Sequence, residues 1–245
     1  MLRFFVHSSA LSYSEIALTR EQFHYLSHVL RKKAGDLLEI VVEDQALLKA
    51  RISSLTSHIL TIEIISESPI SLNRLRLVLL QGLPKQDKMG DIIRKCTEIG
   101  VDDIVPVMMK RCIPQWDERQ AKERIERWTK IAVEASQQSH RVSIPVVHPL
   151  LNLDAVITQF SGLDLKILAW ECEQDVSLKM ILRNPAYSEV KTIGIVIGPE
   201  GGIDAEEVDQ LRLAGFVTAS ISDTVLRTEN AGFLTLSNIR YKLLN

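Results

Sequence analysis

Residues 193–202, IGIVIGPEGG, join an apolar run to a turn that holds three glycines, a proline and a glutamate. The apolar run predicts a buried β-strand, and DAEEVDQLRLAG at 204–215 predicts a helix immediately after the turn. In open α/β sheets, ligands bind beyond the carboxyl ends of the strands. The stretch therefore predicts a parallel α/β sheet with one edge of a ligand site at this turn.

The turn does not have the sequence of a phosphate-binding loop, because neither Gly-Lys-Ser/Thr nor G-x-G-x-x-G occurs there. Carboxylates occupy the turn and the helix start, at Glu200, Asp204, Glu206 and Glu207. They would repel an anion. A ligand with hydroxyls, an amide-like edge and a positive centre fits better, and S-adenosylmethionine (SAM) has all three. The alternative for GPEGG alone is a tight strand-to-helix turn without a ligand.

A second stretch, ISDTVLRTENAG at 221–232, again has the pattern of a strand, a loop and a helix start. Thr228 is predicted to cap the last helix, with Glu229 in the first turn, where negative charge suits the helix dipole. Arg227 lies in the loop. Two strand exits in consecutive β–α units predict two walls of one crevice.

Strands and helices alternate after residue 72, which predicts a mostly parallel sheet covered by helices on both faces. Residues 1–71 contain alternating patterns such as LTIEII, which predict a small β-barrel-like domain. Its one predicted helix begins at Thr19 with Gln22 as capping-box partner and ends at Gly35. The polar stretch SESPISLNRL separates the two patterns, so we predict domains at 1–71 and 72–245.

Composition limits the class of protein. The chain has 245 residues, 46% of them hydrophobic, yet no run approaches the about 18 apolar residues of a membrane span. Cys96, Cys112 and Cys172 are far apart in sequence, which indicates buried thiols in a reducing, cytoplasmic protein. His24 and His28 have metal-ligand spacing without a third ligand nearby, so we predict no metal site.

The charge is unevenly distributed. A net charge of −2 divides into −1 over 1–71, +4 over 72–148 and −5 over 149–245. A basic middle beside an acidic end predicts two surfaces with different partners. Chance scatter over a solvated surface is the alternative.

Two motifs together, GPEGG at 198–202 and LRTENAG at 226–232, resemble the RsmE family of small-subunit rRNA uridine-N3 methyltransferases in the SPOUT superfamily. QGLPKQDKMGDIIRKCTEIGVDDIVPV at 81–107, QQSHRVSIPVV at 137–147, and the early stretches RFFV and HYLSHVLRKKAGD extend the resemblance over nearly the whole chain. The family usually has Arg-Thr-Glu-Thr where this chain has Asn230 in the last position, which keeps a polar side chain.

The resemblance implies a PUA-like β-barrel domain followed by an α/β domain of SPOUT type with a C-terminal trefoil knot. It also implies a homodimer whose knot loops hold SAM in a bent form. The implied reaction is methylation of N3 of a specific uridine in 16S rRNA, within the assembled 30S subunit. Two alternatives are a non-catalytic rRNA-binding assembly factor with this fold and a SPOUT ribose 2′-O-methyltransferase.

Methylation of uracil N3 requires loss of its proton, alignment of N3 with the methyl group and stabilisation of the uracil anion. A cation near a uracil carbonyl would stabilise the anion, and Arg227 and Arg141 are the candidates. An ion pair with a neighbouring carboxylate is the alternative for each. Glu98 or Glu229 could accept the proton, although a charge at a helix end is the favoured interpretation of both.

The predicted cofactor site consists of strand-end residues, whose apolar members would sandwich adenine while backbone groups read its edge: Leu168, Ala169, Trp170, Ile197, Gly198, Glu200, Gly202, Ile221, Leu226, Arg227 and Thr228. For Trp170, a partly buried core aromatic is the alternative. The predicted contacts to RNA phosphates are Arg3, Arg31, Lys32, Lys33, Lys85, Lys88, Arg94, Lys95, Lys110 and Arg111. A solvated charged face is the alternative for these side chains.

Overall fold

A computed structural model describes residues 3–43, 45–70, 75–114 and 116–243 of the chain. These residues belong to two compact units. The first comprises Met1–Asn73 and Ser136–Ser143, and the second comprises Arg74–Ala135 and Ile144–Asn245. The predicted boundary between residues 71 and 72 lies outside the described residues.

The first unit is built on a six-stranded sheet in the order β1-β4-β5-β6-β3-β2. The strands are β1 Arg3–Val6, β2 Leu11–Ser12, β3 Glu15–Ala17, β4 Leu37–Val42, β5 Ala46–Leu55 and β6 Ile59–Pro69. β1 and β4 are parallel, whereas the other pairs are antiparallel. The pairing of β5 with β6 shifts register twice, as it does at β-bulges. The predicted β-rich N-terminal unit is confirmed.

The predicted helix of this unit is shorter than its pattern indicates. The capping box is present: Thr19 Oγ1 accepts a hydrogen bond from the Gln22 N–H at 3.2 Å, and Gln22 Oε1 accepts one from the Thr19 N–H at 2.9 Å. The α-helix α1 covers Arg20–His24 and continues as a π-helical turn over Tyr25–Val29. Gly35 does not end the helix: it lies in the turn before β4, where its φ of +93° favours glycine.

The second unit is built on a sheet in which every described strand pair is parallel. Its strands are β7 Arg76–Gly82, β8 Asp103–Met108, β9 Val146–Val147, β10 Leu151–Asn152, β11 Leu165–Ala169, β12 Thr192–Ile197 and β13 Val217–Ala219. The order is β10-β8-β7-β12-β11-β13, with β9 also paired to β8. The helices are α2 Lys88–Glu98, α3 Glu118–Gln138, α4 Leu153–Gln159, α5 Leu178–Arg183, α6 Ala205–Leu213 and α7 Thr228–Leu243. Residues 136–138 of α3 belong to the first unit.

The central strands of this sheet are buried on both faces. Leu77, Leu79 and Ile195 belong to one apolar cluster, whereas Leu80 and Val196 belong to another. Alternate residues of a strand point to opposite faces, so an uninterrupted apolar run fills two cores, and each buried aliphatic side chain contributes about 1.5–3 kcal/mol. The predicted parallel sheet with two covered faces is confirmed. The trefoil knot stays a prediction.

The described residues hold no helix long and apolar enough to cross a membrane. Within the same ranges, no group of three or more His, Cys, Asp or Glu side chains is placed to hold a metal ion, and the rings of His24 and His28 stack with centroids 4.9 Å apart. Burial raises the pKa of Cys96 to about 12, and Cys112 is half-buried. Cys172 is exposed in the loop after β11, so the expectation that all three thiols are buried is wrong for this residue.

Candidate functional site

A pocket of about 430 Å³ opens at the carboxyl ends of β11 and β12. Its walls are residues 169–171 after β11, residues 197–200 and Gly202 after β12, and residues 220–228 before α7. Lys88 of α2 and Ala231 of α7 complete the lining. This is the edge at which open α/β sheets bind ligands. The two predicted strand exits therefore do line one crevice.

The turn after β12 contains two glycines that leave no room for a side chain. A Cβ on Gly198 would lie 2.7 Å from Ile203 Cγ1, and a Cβ on Gly202 would lie 2.4 Å from Glu171 Oε1. Gly202 also has a φ of +71°, and its N–H donates to the Pro199 carbonyl at 3.0 Å. The backbone is therefore bare at the point where a ligand would approach it.

The carboxylates at the start of α6 form pairs with the loop after β8. Asp204 and Glu207 form a capping box, as the Asp-x-x-Glu spacing at the start of a helix indicates. Asp204 also lies 3.3 Å from the Arg111 guanidinium, Glu206 pairs with Lys110 Nζ, and Glu207 Oε1 accepts the Lys110 N–H at 2.8 Å. None of these three carboxylates lines the described pocket. Lys110 and Arg111 therefore engage these three side chains, and of the four carboxylates expected to repel an anion only Glu200 lines the pocket.

A lysine lies in the pocket between two carboxylates. Lys88 Nζ is 3.0 Å from Glu200 Oε1 and 3.2 Å from Glu229 Oε2. Burial raises the pKa of the Glu200 carboxyl, but hydrogen bonds from the Lys85 N–H and from Lys88 outweigh burial, so this pKa lies below its usual value. The pKa of Glu229 is lowered in the same way, with burial opposed by its own N–H and by Lys88. Both carboxyls are therefore ionised at neutral pH.

A buried amide ties the two loops of the pocket to β7. Gln81 is completely buried, and its Nε2 donates to the Thr228 hydroxyl at 2.9 Å and to the Gly82 carbonyl at 3.0 Å. The Thr228 hydroxyl in turn donates to the Gly198 carbonyl at 2.6 Å. Thr228 is therefore the first residue of α7 and not its cap. The prediction of a Thr228 cap is wrong, since the hydroxyl is engaged by another strand.

We expect Thr228→Val to destabilise the protein by about 1–3 kcal/mol, because the Gly198 carbonyl loses its donor and the Gln81 amide loses an acceptor inside the core. Denaturant unfolding would measure this loss. Thr235→Val is the matched control: Thr235 is also buried on α7, but its hydroxyl donates only to the Ala231 carbonyl of its own helix. Equal losses of stability in the two variants would contradict the inference that the Thr228 hydroxyl links Gln81 to Gly198.

Trp170 forms part of the pocket wall, and its ring contacts a network of polar side chains. The Arg212 guanidinium lies 5.0 Å from the Trp170 ring centroid. Arg212 also lies 3.7 Å from Glu173 Oε2, which accepts the Thr218 hydroxyl at 2.6 Å. Trp170 is half-buried. Trp170 is therefore both a pocket residue and a partly buried aromatic, so the two alternatives from the sequence hold together.

Most of the other residues predicted for the cofactor line the pocket, whereas the residues predicted for catalysis do so only in part. All the predicted cofactor residues line the pocket except Leu168, which is completely buried within β11. Arg227 lies at the rim with an exposed side chain. Arg141 belongs to the first unit, and its guanidinium donates to the Ser143 carbonyl at 3.0 Å. Glu98 is exposed at the end of α2 and does not line the pocket.

The basic residues predicted to bind RNA are in different environments. In the first unit, Arg3 is only 14% exposed and pairs with Glu39 at 3.0 Å, which fits a structural role. Three others lie together between the π-helical turn and β4: Arg31, Lys32 and Lys33. Arg31 and Lys33 are exposed and Lys32 is half-exposed. They form a basic segment, and their contact with RNA stays a prediction.

In the second unit, the predicted RNA contacts lie on α2 and the loops beside it. Lys85 is exposed and gives its N–H to Glu200. Arg94 pairs with Asp91 at 2.7 Å, and Lys95 Nζ donates to Asn230 Oδ1 at 3.1 Å. Asn230 thus has a partner at the position where the chain departs from the resembled motif. These RNA contacts also stay predictions.

Comparison with known proteins agrees with this architecture. The family model of an RNA methyltransferase domain matches residues 71–240, and that of an RNA methyltransferase PUA domain matches residues 18–65. The ribosomal RNA small subunit methyltransferase E of Bacillus subtilis is 30% identical over 99% of this chain and 97% of that protein. The Rickettsia conorii protein of the same name is 25% identical over 97% of this chain and 94% of its own length.

Among solved structures, the Neisseria gonorrhoeae ribosomal RNA small subunit methyltransferase E bound to S-adenosyl methionine superimposes with a TM-score of 0.84. It is 27% identical, with 98% of this chain and 97% of that chain covered. The fold, the pocket and the matched domains together define an RNA methyltransferase with a PUA domain. More specifically, the chain belongs to the ribosomal RNA small subunit methyltransferase E family.

Proposed function

We propose that this chain transfers the methyl group of SAM to N3 of a specific uridine in 16S rRNA, within the assembled 30S subunit. The observation that supports this most is the pocket itself, because it brings together two motif loops that are separated in sequence by α6 and β13 and that the family resemblance assigns to SAM. The name of the Bacillus subtilis relative supports the class of RNA, and the SAM-bound structure of the Neisseria gonorrhoeae relative supports the cofactor.

The residues of the pocket fit SAM. Acidic side chains exceed basic ones in the lining, with Glu171, Glu200 and Asp223 against Lys88 and Arg227. A negative excess suits a sulfonium. Trp170 and Ile221 supply apolar surface, and the bare backbone of the glycine turn supplies hydrogen-bonding groups. When bound, SAM would supply an electrophilic methyl group.

The acid–base chemistry follows from the same side chains. Glu200 and Glu229 have lowered pKa values, so both are weak bases for the uracil N3 proton. We therefore propose that this proton passes to solvent. The task of the pocket is to align N3 with the methyl group and to stabilise the anion that remains on the base.

We further propose a cytoplasmic homodimer whose N-terminal unit contacts the rRNA through the basic segment Arg31, Lys32 and Lys33. Phosphate contacts of this kind position the enzyme and make binding salt-dependent. Each neutralised phosphate steepens the fall of affinity with salt, so replacing the three basic residues by Gln is expected to flatten that dependence.

The decisive experiment incubates the purified protein with tritiated SAM and 30S subunits from cells that lack the activity, followed by nucleoside analysis. The expected result is labelled 3-methyluridine. Labelled ribose-methylated nucleoside would instead identify a 2′-O-methyltransferase. Binding of 30S subunits without any labelled nucleoside would identify a non-catalytic assembly factor.

A further inference from the structure

The ammonium group of Lys88 lies in the pocket beside two carboxylates. Its Nζ is 3.0 Å from Glu200 Oε1 and 3.2 Å from Glu229 Oε2. The side chain is 30% exposed and lines the cavity. A lysine ammonium carries three N–H donors, and this partial exposure leaves the group accessible to a molecule inside the pocket.

The surroundings of Lys88 differ from those of a surface side chain that contacts an RNA phosphate. Its ammonium lines the pocket and is already paired with two carboxylates. These pairs fix the position of the ammonium, because Glu200 belongs to the turn after β12 and Glu229 to α7. A fixed dipole or charge stabilises a transition state without the cost of reorganisation.

We propose that Lys88 is a catalytic residue, whose ammonium donates a hydrogen bond to a carbonyl oxygen of the target uracil and stabilises the anion formed when N3 loses its proton. This inference rests on the proposed function and deepens it. Arg227, the candidate from sequence, lies at the exposed rim, where solvent weakens its charge. Lys88 is held by partners, and Arg227 has no ion pair among the described side chains.

The reaction balances as follows. The N3–H bond breaks, its proton passes to solvent, and the electron pair is shared among N3 and the two carbonyl oxygens. N3 then forms a bond to the methyl carbon while the methyl–sulfur bond breaks, and its electron pair goes to sulfur. The products are a neutral methylated uracil and a neutral thioether. Lys88 keeps its proton throughout, because both neighbouring carboxylates favour the charged form.

The test is single-turnover methylation of 30S subunits at saturating SAM, over a pH series of about 6 to about 10, with SAM affinity measured by calorimetry. Lys88→Met is expected to lower the rate by about 10²–10³-fold, as removal of one oxyanion donor does. Its rate should rise with pH over a higher range than that of the wild type, because the bound uracil loses its proton less readily. Lys88→Arg, which keeps a charged donor, should retain most of the activity.

The charged groups that bear on this pH profile are five that line the pocket, Lys88, Glu171, Glu200, Asp223 and Arg227, and Glu229 of α7, which pairs with Lys88. Lys88→Met leaves Glu200 and Glu229 without their common partner, so repulsion between the two carboxylates could itself slow the reaction. The double variant Lys88→Met with Glu229→Gln removes this repulsion and leaves only the loss of the ammonium group. The double variant should stay slow while binding SAM. Lys179→Met is the control, since Lys179 is an exposed lysine of α5 outside the pocket.

Three results would overturn the assignment of Lys88: a wild-type rate in Lys88→Met, recovery of the rate in the double variant, or a loss of SAM affinity that accounts for the whole effect. Each would leave the proposed function standing, because the wild type would still produce 3-methyluridine. If the wild type produces none, the proposed function and the assignment fall together.

Discussion

Gly202→Leu is expected to abolish SAM binding, with an affinity loss of more than about 100-fold. The residue lines the pocket, and a Cβ there would lie 2.4 Å from Glu171 Oε1. Glu171 can rotate away, but the leucine then occupies space that the ligand needs. The φ of +71° adds a strain of about 1–2 kcal/mol for a residue with a side chain. The variant should therefore fold but bind no SAM.

Thermal unfolding with and without SAM measures both parts of this expectation. The wild type should gain stability with ligand concentration, as a protein does when a ligand binds only its native state, whereas Gly202→Leu should gain none. Gly162→Leu is the control for added bulk, since nothing lies within 4 Å of a Cβ there. Gly35→Leu is the control for strain, because Gly35 has a φ of +93° in open space. Ligand stabilisation of Gly202→Leu equal to that of the controls would place the cofactor elsewhere.

Asp103→Asn is expected to cause the largest loss of stability, about 2–3 kcal/mol at neutral pH. The carboxyl is only 5% exposed and accepts both Arg76 Nε at 2.7 Å and Arg76 Nη2 at 2.9 Å, with His148 Nε2 at 2.8 Å. The amide replaces one acceptor oxygen with a donor that faces another donor. Hydrogen bonds to charged groups contribute about 1.5–3 kcal/mol, and the half-exposed Arg76 keeps the loss below that of a fully buried pair.

The effect of Asp103→Asn should depend on pH. Burial raises the pKa of the Asp103 carboxyl, but hydrogen bonds from His148 and Arg76 outweigh it, so the pKa in the folded protein lies below 3.8, its ordinary value. A lowered carboxyl pKa stabilises the fold fully above the unfolded value, and this contribution is lost as pH falls through the folded value. The gap between wild type and variant should therefore shrink below about pH 4.

Urea unfolding of both proteins at pH 7 and at acid pH gives this difference. Asp91→Asn is the matched control, because Asp91 pairs with Arg94 at 2.7 Å but is 63% exposed. Exposed pairs of neighbours on a helix contribute little, so the control should resemble the wild type at both pH values. A difference in unfolding free energy that stays constant with pH would show that the stability depends on the shape of the Asp103 side chain and not on its ionisation.

The elements predicted from local pattern are largely those of the structure. β12 and α6 follow the pattern around GPEGG, and the capping boxes at Thr19 and Asp204 are both formed. These features depend on residues within a few positions of one another, so the sequence shows them directly. The weakest local pattern gives the least regular structure: SIPVVHPL, residues 143–150, forms only the two-residue strand Val146–Val147, and a second two-residue strand, Leu151–Asn152, follows it.

The contacts that build the site could not be predicted in the same way. Gln81 contacts Thr228 across 147 positions of sequence, and no periodicity links two residues so far apart. The sequence predicts that the carboxylates after GPEGG repel an anionic ligand, yet Glu206 pairs with Lys110 and Asp204 pairs with Arg111. Lys88 looked like one member of a basic run, and only its two carboxylate partners distinguish it from the others.

The sequence by itself determined the parallel α/β sheet, the β-rich first unit and the two loops that line the pocket, because apolar periodicity, glycine turns and capping residues act over short distances along the chain. The tertiary structure alone decided which charges face the pocket and which neutralise one another. Electrostatic interactions depend on separation and burial in space, and strand order in the sheet brings Lys88, Glu200 and Glu229 together from three distant segments.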